Sequence, residues 1–172
     1  MQEMQLGSNL IYEGKNIHFI GIGGAGMSGI AHILIQTGCR VSGSDVKKSR
    51  NTMKLTQEGA IISIGHSPEN IKSAEIVVYS SAINASNCEL MAARDKDVFV
   101  ISRGEMLAEL ARNKSSIVVA GTHGKTTTTS MISLIFEYNN INPTFLIGGE
   151  LNDIGSNAKF GDSKYFIAEV DE

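Results

Sequence analysis

The feature that most constrains this chain is a glycine-bearing run between an apolar stretch and a segment of helical character. The run spans residues 121–127. It follows the β-branched stretch Ser116–Ala120, and its last two residues open a predicted helix over Thr126–Tyr138. A strand, a turn of this kind and a helix form a P-loop, whose backbone N–H groups and helix N-terminus attract phosphate oxygens. The predicted nucleotide-binding residues are Gly121, Thr122, His123, Gly124, Lys125, Thr126 and Thr127.

Two side chains of this run have defined chemistry in a P-loop. Lys125 would reach the terminal phosphates, and the Thr126 hydroxyl would ligate Mg²⁺. The loop is a short form, because the general pattern needs glycine at the position of Val119. The alternative interpretation is a helix N-terminus rich in capping hydroxyls.

A second glycine-rich run lies near the start of the chain. Gly21, Gly23 and Gly26 fit Gly-x-Gly-x-x-Gly, between the apolar segment Ile17–Ile22 and a predicted helix over Met27–Gln36. Asp45 follows about 20 residues later, where the acid of a dinucleotide site holds a ribose. The pattern predicts a Rossmann-like βαβ unit that faces a pyrophosphate, and it leaves NAD, FAD and a nucleotide-diphosphate sugar open.

Predicted strands and helices alternate over residues 16–113, which indicates a doubly wound parallel sheet. In such sheets ligands bind at the carboxyl ends of the strands. The polar residues predicted at those ends are Asp45, His66, Ser80, Ser81 and Arg103. The alternatives are turn residues for the two serines, a solvated loop histidine, and a helix-start arginine in a surface ion pair. His18 and His32 are predicted to be structural.

A domain boundary is predicted near Asn113–Ser115, where the P-loop unit begins. In residues 114–172 a strand over Thr144–Ile147, a polar loop over residues 148–161 and a final apolar run into Glu169 are expected. A carboxylate at that point is the usual second contact of Mg²⁺, with Asp171 and Glu172 as lesser candidates. Because P-loop domains need further strands, this unit is predicted to be truncated.

Composition excludes several classes of function. A net charge of −3 gives no indication of a nucleic-acid partner. No apolar run approaches the roughly 18 residues of a membrane span, so no membrane insertion is expected. Residues 1–15 are predicted to be a tail without a secretory signal, and the isolated Cys39 and Cys88 indicate free thiols in a reducing cytoplasm.

Six motifs in order carry a resemblance to the Mur ligase family over residues 16–172; they lie at residues 20–31, 43–45, 79–83, 121–129, 147–149 and 168–172. The resemblance implies a Rossmann-like parallel-sheet N-terminal domain followed by the truncated start of a P-loop α/β ATP-binding domain. The expected substrate-binding residues for a UDP sugar are Gly21, Gly23, Gly24, Ala25, Gly26, Asp45, His66, Ser80, Ser81 and Arg103.

The resemblance also implies an activity, an ATP-dependent C–N bond-forming ligase of peptidoglycan precursor synthesis in the cytoplasm. Such an enzyme joins L-alanine to the carboxylate of UDP-N-acetylmuramate through an acyl phosphate. Lys125 is expected to be catalytic, with Thr126 and Glu169 on Mg²⁺. A relative that attaches a recycled tripeptide to the same nucleotide sugar is the first alternative. Because the family motif continues beyond Glu172, the chain is expected to be a catalytically inactive piece.

Two further classes are compared with this one. An NAD-binding regulatory or dehydrogenase domain leaves the P-loop and Glu169 unexplained. A P-loop ATPase or kinase leaves the first glycine run and Asp45 unexplained. A binding measurement with uridine nucleotides, NAD and ATP separates the three.

Overall fold

The computed structural model describes residues 12–151 and 155–170, with the side chains of residues 150 and 151 excepted. Most of the predicted N-terminal tail and the minor candidates Asp171 and Glu172 lie outside these ranges. Within the described residues two sheets form, joined by the segment around Asn113, which adopts a positive φ of 64°. No helix in the described ranges is long and apolar enough to cross a bilayer.

The first sheet is parallel throughout and has five strands. These are β1 (Asn16–Ile20), β2 (Arg40–Asp45), β3 (Ile61–Ile64), β4 (Ile76–Tyr79) and β5 (Phe99–Ser102). Their order is β3-β2-β1-β4-β5, so the chain reverses direction across the sheet beside β1. The helices are α1 (Ala25–Gln36), α2 (Arg50–Gln57), α3 (Cys88–Asp95) and α4 (Arg103–Ala111), with a 3-10 turn at Pro68–Ile71. The predicted Rossmann-like doubly wound sheet is confirmed.

Strand β1 lies at the centre of this sheet and ends earlier than the apolar pattern predicts. Ile17, Phe19 and Ile20 are fully buried, as expected for a strand covered on both faces. Gly21 adopts a φ of +81°, a conformation that favours glycine, and turns the chain out of the strand. Ile22 therefore leaves the sheet and packs over β2, where a side chain at Gly43 would meet it at 2.5 Å.

The second sheet follows the P-loop. Its strands are β6 (Ser115–Val119), β7 (Thr144–Leu151), β8 (Ser156–Lys159) and β9 (Tyr165–Glu169), and α5 (Lys125–Tyr138) follows β6. The order is β6-β9-β7-β8. Strands β6, β9 and β7 are parallel, and β8 runs antiparallel to β7.

The polar loop predicted over residues 148–161 is wrong in part. Strand β7 continues to Leu151, and β8 returns beside it. Ser156 and Ala158 face inward and are buried, whereas Asn157 and Lys159 are only partly buried, so β8 has the two-residue period of a strand. The pattern was not apparent because the inward side chains are small and one of them is polar.

Helix α1 lies between the two sheets. One apolar cluster contains Ile30 of α1, Phe19 of β1, Leu146 of β7, Ala158 of β8 and Phe166 of β9. The close approach depends on Gly29, because a Cβ there would lie 2.2 Å from Leu146 Cδ1 and 3.2 Å from Ala158 Cβ. Strand β8 is thus packed directly on the helix that follows the first glycine run.

Two hydrogen bonds join α1 to β8 and the residue after it, and a third joins α2 to the turn before β8. Asn157 Nδ2 donates to the carbonyl of Ala25 at 3.0 Å, at the start of α1. The backbone N–H of Phe160 donates to Gln36 Oε1 at 2.7 Å, at the end of that helix. Lys54 Nζ donates to the carbonyl of Gly155 at 3.0 Å. The hairpin of β7 and β8 therefore contacts α1 along its whole length.

We expect Gly29→Val to lower the free energy of unfolding by about 2 kcal/mol, since the added atoms overlap Leu146 and the backbone of α1 must move away from β8. Gly104→Ala in α4 is the matched control, because no atom lies within 4 Å of the added methyl group. Removing a helical glycine should raise stability by about 0.5 kcal/mol or more. Urea denaturation of both variants measures the difference; equal stability would contradict the packing described.

Candidate active site

A cavity of about 470 Å³ lies between the two sheets. Its walls come from the N-terminal turns of α1 and α5, from α4, from the middle of β7 and from the carboxyl end of β9. The lining residues include Ala25, Gly26, Arg103, Lys125, Thr126, Gly148 and Glu169. The two glycine-rich runs, about 100 residues apart in sequence, therefore face one space.

Two of the three helices that begin at this cavity, α1 and α5, have uncapped N-termini. Gly24 precedes α1 and Gly124 precedes α5, neither provides a capping side chain, and neither helix has an acidic residue in its first turn. In contrast, α2, α3 and α4 are capped by Ser49, Asn87 and Ser102. Free backbone N–H groups and the positive end of the helix dipole therefore point toward the cavity from two directions, which favours anions there.

The P-loop has the geometry that phosphate binding requires. Gly121 and Gly124 adopt φ values of +144° and +77°, which other residues rarely reach. Lys125 Nζ donates to the carbonyl of Gly121 at 2.5 Å and so crosses the mouth of the loop. Thr122, His123 and Thr127 are exposed at its rim. The predicted nucleotide-binding residues thus form one continuous concave turn.

Glu169 and Thr126 lie side by side, although they are 43 residues apart. Thr126 Oγ1 donates to Glu169 Oε1 at 3.2 Å, and the backbone N–H of Gly148 donates to the same oxygen. Glu169 Oε2 is buried, and no described residue forms a hydrogen bond with it. A hydroxyl, an adjacent carboxylate and one unsatisfied carboxylate oxygen are suitable donors for a hard cation such as Mg²⁺.

Sequence reasoning missed the role of Gly148. A Cβ at this position would lie 2.0 Å from Glu169 Oε1, so only glycine lets β7 approach the carboxylate. Gly149 is similarly close to Thr126, with 3.1 Å between an added Cβ and Thr126 Cγ2. The glycine pair at residues 148–149 was visible as a motif, but its purpose depends on the pairing of β7 with β9.

The first glycine run is held by its own neighbours. The N–H of Gly23 donates to Asp45 Oδ2 at 2.8 Å, and Asn51 Nδ2 donates to the carbonyl of Gly23 at 2.8 Å. The N–H groups of Gly21 and Ile22 donate to the carbonyl of Ser44 at 2.9 and 3.0 Å. One oxygen of Asp45 therefore shapes the loop itself, and Asn51 is a second contributor that sequence reasoning missed.

Arg103 and the two serines differ in position. Arg103 lies against the start of α1, where a Cβ at Gly26 would meet its Nη1 at 2.5 Å, and it lines the cavity. Ser80 lies near the first glycine instead, where a Cβ added at Gly21 would be 3.8 Å from Ser80 Cβ. The Ser80 hydroxyl accepts a hydrogen bond from the N–H of Ala82 at 3.3 Å. Ser81 is exposed in the following turn. Of the residues predicted at strand ends, Arg103 is the one found in the cavity wall.

His66 lies away from the cavity and contacts a buried carboxylate, Glu89. His66 Nδ1 is 3.1 Å from Glu89 Oε2 and 3.0 Å from Ser44 Oγ. Burial alone would raise the pKa of Glu89, but the interactions with His18, Ser44, Asn70 and His66 outweigh it and lower that pKa to about 2. Glu89 reads in sequence only as a helical residue, so this cluster was not predicted.

Glu89 makes stability depend on pH in a defined window. Because its pKa in the folded chain is below the ordinary value of 4.5, the stabilisation is complete above about pH 4.5 and is lost as the pH falls toward 2. We expect Glu89→Gln to lower the unfolding free energy at pH 7 by on the order of 2 kcal/mol. Relative to wild type, the variant should lose less stability across this window.

The control is Glu69→Gln. Lys72 also lowers the pKa of Glu69, but this exposed pair is screened by solvent, so its loss should change the pH dependence of the unfolding free energy much less. Urea midpoints measured from pH 7 to pH 2 provide the comparison. An identical pH dependence in Glu89→Gln and wild type would contradict the assignment.

Two family models match the chain. Residues 16–115 match the Mur ligase family catalytic domain, and residues 119–172 match the Mur ligase middle domain. The division between the two matches falls between α4 and the P-loop.

Curated relatives are similar over most of the chain. It is 53% identical over 158 residues to the UDP-N-acetylmuramate–L-alanine ligase of Methylococcus capsulatus, and this covers 92% of the chain and 34% of that relative. The ligase of the same name from Aquifex aeolicus is also 53% identical, with 92% and 35% covered. The chain thus spans about a third of the length of the curated relatives it matches.

Solved structures agree with the fold. The UDP-N-acetylmuramate-alanine ligase of Thermotoga maritima is similar with a TM-score of 0.85 and 32% identity, over 91% of this chain and 37% of that one. A ligase from Neisseria meningitides that is named for UDP-N-acetylmuramate and L-alanyl-γ-D-glutamyl-meso-diaminopimelate gives the same TM-score and identity, over 92% and 53%. With both family models matched in order, the chain belongs to the Mur ligase family.

Proposed function

We propose that this chain provides the UDP-sugar-binding and ATP-binding parts of a ligase that joins L-alanine to the carboxylate of UDP-N-acetylmuramate. This is a step of peptidoglycan precursor synthesis, placed in the cytoplasm with its nucleotide substrates. The observation that carries the proposal is the single cavity bordered by both uncapped helix N-termini. Two polyanionic substrates can meet there without a protein nucleophile.

We assign residues 16–113 to the UDP sugar and residues 114–172 to ATP. The N–H groups at the start of α1 would receive the diphosphate, with Arg103 beside Gly26 adding positive charge. The sugar-acid end of the substrate would then extend into the cavity toward Lys125. Asp45, Ser80 and Ser81 would border the nucleoside and sugar from the strand ends.

In the proposed reaction a carboxylate oxygen of UDP-N-acetylmuramate attacks the γ-phosphorus of ATP, and the bond to the ADP oxygen breaks. The amine of L-alanine then attacks the acyl phosphate, a proton leaves the nitrogen, and phosphate departs with the acyl oxygen. Phosphoryl transfer depends mainly on positioning and on charge neutralisation. Lys125 and the N–H groups of α5 supply that neutralisation.

Thr126 and Glu169 would hold Mg²⁺, which when bound neutralises phosphate charge. The residues fit this role because Glu169 Oε2 is buried with no hydrogen bond from any residue that the structure describes, and Thr126 Oγ1 is adjacent. Gly148 supports it by holding the other oxygen of Glu169. A hard cation would satisfy the orphan oxygen, whose burial is otherwise costly.

The second candidate is the ligase that attaches a tripeptide to the same nucleotide sugar. The Neisseria structure of that kind is as similar in fold and identity as the Thermotoga alanine ligase, so the described residues do not separate the two. The higher identity of the curated alanine ligases favours L-alanine. Both candidates share the UDP-N-acetylmuramate and ATP sites.

Calorimetric titration of the chain with UDP-N-acetylmuramate, UDP, NAD and ATP–Mg²⁺ tests the proposal. Binding of the uridine nucleotides and of ATP–Mg²⁺ is expected, because each half offers an anion-binding helix N-terminus. Binding of NAD without any uridine nucleotide would contradict it and would favour the dehydrogenase-type alternative.

We expect Lys125→Ala to weaken ATP–Mg²⁺ binding about tenfold or more, because a charge-assisted contact to the terminal phosphates is lost. Binding of UDP, which lacks the sugar acid, should be unchanged, since its proposed contacts all lie within residues 16–113. Lys164→Ala is the control, as Lys164 packs over the ring of Tyr165 on the surface. Calorimetry gives both affinities, and unchanged ATP binding in Lys125→Ala would count against the P-loop assignment.

Glu169→Gln tests the cation site separately. We expect it to reduce the gain in ATP affinity that Mg²⁺ produces, because a neutral amide is a weaker ligand for a hard cation. Glu137→Gln is the control, since Glu137 pairs with Lys159 instead. ATP is titrated with and without Mg²⁺; an undiminished gain in Glu169→Gln would refute the assignment.

A further inference from the structure

A buried polar cluster within residues 16–113 is not used by the proposed chemistry. At its centre is Glu89, in the first turn of α3, whose side chain is 0% exposed. Glu89 Oε1 accepts from Asn70 Nδ2 at 2.5 Å and from the N–H of Ser67 at 3.3 Å. Glu89 Oε2 accepts from the Ser44 hydroxyl at 2.5 Å. All three are donors to a carboxylate that has no proton of its own to give.

These bonds fix where the proton of His66 must be. Its Nδ1 faces two oxygens, Glu89 Oε2 at 3.1 Å and Ser44 Oγ at 3.0 Å. Since the single hydroxyl proton of Ser44 points to Glu89, both oxygens present lone pairs to Nδ1. Nδ1 therefore carries hydrogen, and in the neutral ring Nε2 is left as an acceptor.

The second imidazole of the cluster cannot reach a ligand. His18 is 1% exposed, its Nδ1 contacts Ser42 Oγ at 2.9 Å, and its Nε2 is 3.8 Å from Glu89 Oε2. The side chain of His66 is 20% exposed and follows the carboxyl end of β3. Of the two imidazoles, His66 is the one that connects the buried carboxylate to the edge of the sheet where ligands of such folds bind.

We propose that Glu89 is a positioning residue that holds His66 in the Nδ1–H tautomer, so that Nε2 accepts a hydrogen bond from the imide N–H of a nucleobase. The proposal rests on the proposed function, because it takes the nucleoside diphosphate to lie in this half. It names the base by its chemistry. Uracil carries hydrogen on N3 and donates, whereas N3 of cytosine has only a lone pair and would oppose Nε2.

Glu89→Gln is a selective test because the surrounding donors orient the new amide. Asn70 Nδ2 and the N–H of Ser67 keep the amide oxygen at the Oε1 position. The NH₂ group then occupies the Oε2 position and donates toward His66 Nδ1, which becomes the acceptor. The proton of the ring moves to Nε2, so the atom offered to the ligand changes from acceptor to donor.

The tautomer is measured without ligand, by NMR of the chain labelled with ¹⁵N-histidine at a pH where His66 is neutral. The four histidines are assigned with single His→Asn variants. Wild type should show the Nδ1–H tautomer at His66 and Glu89→Gln the Nε2–H tautomer. An Nε2–H tautomer in wild type overturns the proposal, and this test needs no stable variant.

Nucleotide preference is measured by calorimetry with UDP and CDP. Wild type should prefer UDP about tenfold or more, because uracil N3–H donates to His66 Nε2 whereas N3 of cytosine leaves Nε2 unpaired. Glu89→Gln should bring the two affinities within about threefold. Ser42→Ala is the matched control, since it removes the partner of His18 and leaves the contacts of Glu89 with His66 intact. It should keep the preference for UDP.

The outcomes separate this proposal from the proposed function. A wild-type chain that binds UDP and CDP equally, or a Glu89→Gln variant that keeps the full preference with a changed tautomer, overturns the base-recognition step. A chain with the expected tautomer that binds neither nucleotide argues against the proposed function, because the positioning of His66 then serves no ligand of that class.

Discussion

The packing of α1 between the two sheets is the constraint on which the site depends. A helix that packs against both sheets has no room for a side chain where the second sheet approaches, and Gly29 occupies that position opposite Leu146 and Ala158. The apolar cluster runs without interruption from β1 through α1 to β9. Because the first glycine run leads directly into this helix, the same contact brings that run to one side of the cavity. The P-loop helix begins on the other side.

Capping then determines which helix N-termini leave backbone N–H groups available to an anion. Helices α2, α3 and α4 satisfy their first N–H groups with Ser49, Asn87 and Ser102, whereas α1 and α5 begin at glycines that offer no side chain. The uncapped ends provide partial positive charge, and Lys125 and Arg103 add full charges nearby. Glu169 is the acidic counterpart, and hydrogen bonds from Gly148 and Thr126 hold it in place. The cavity is therefore suited to phosphates and a cation together.

Local patterns predicted most of the fold, since the alternation of apolar strands with helices and the two glycine runs are encoded over short distances. The failures have physical causes. Burial alternates with the two-residue period of a strand in β8. The sequence does not reveal it, because the inward residues Ser156 and Ala158 are small and Ser156 is polar. Glu89 is buried by contacts with β2 and the turn after β3, which no local pattern contains. Asp45 was found at the expected spacing, yet spacing does not reveal that its oxygen binds Gly23.

Helix α1 also has a mechanical consequence. Since its two flanks are packed on different sheets and its ends are tied to Asn157 and Phe160, a rotation of one half against the other cannot hinge along this helix. Such a rotation would have to pull Leu146 and Ala158 from their apolar neighbours. The packing of α1 therefore fixes the separation of the two glycine-rich runs, and any one ligand that contacts both runs must match that distance.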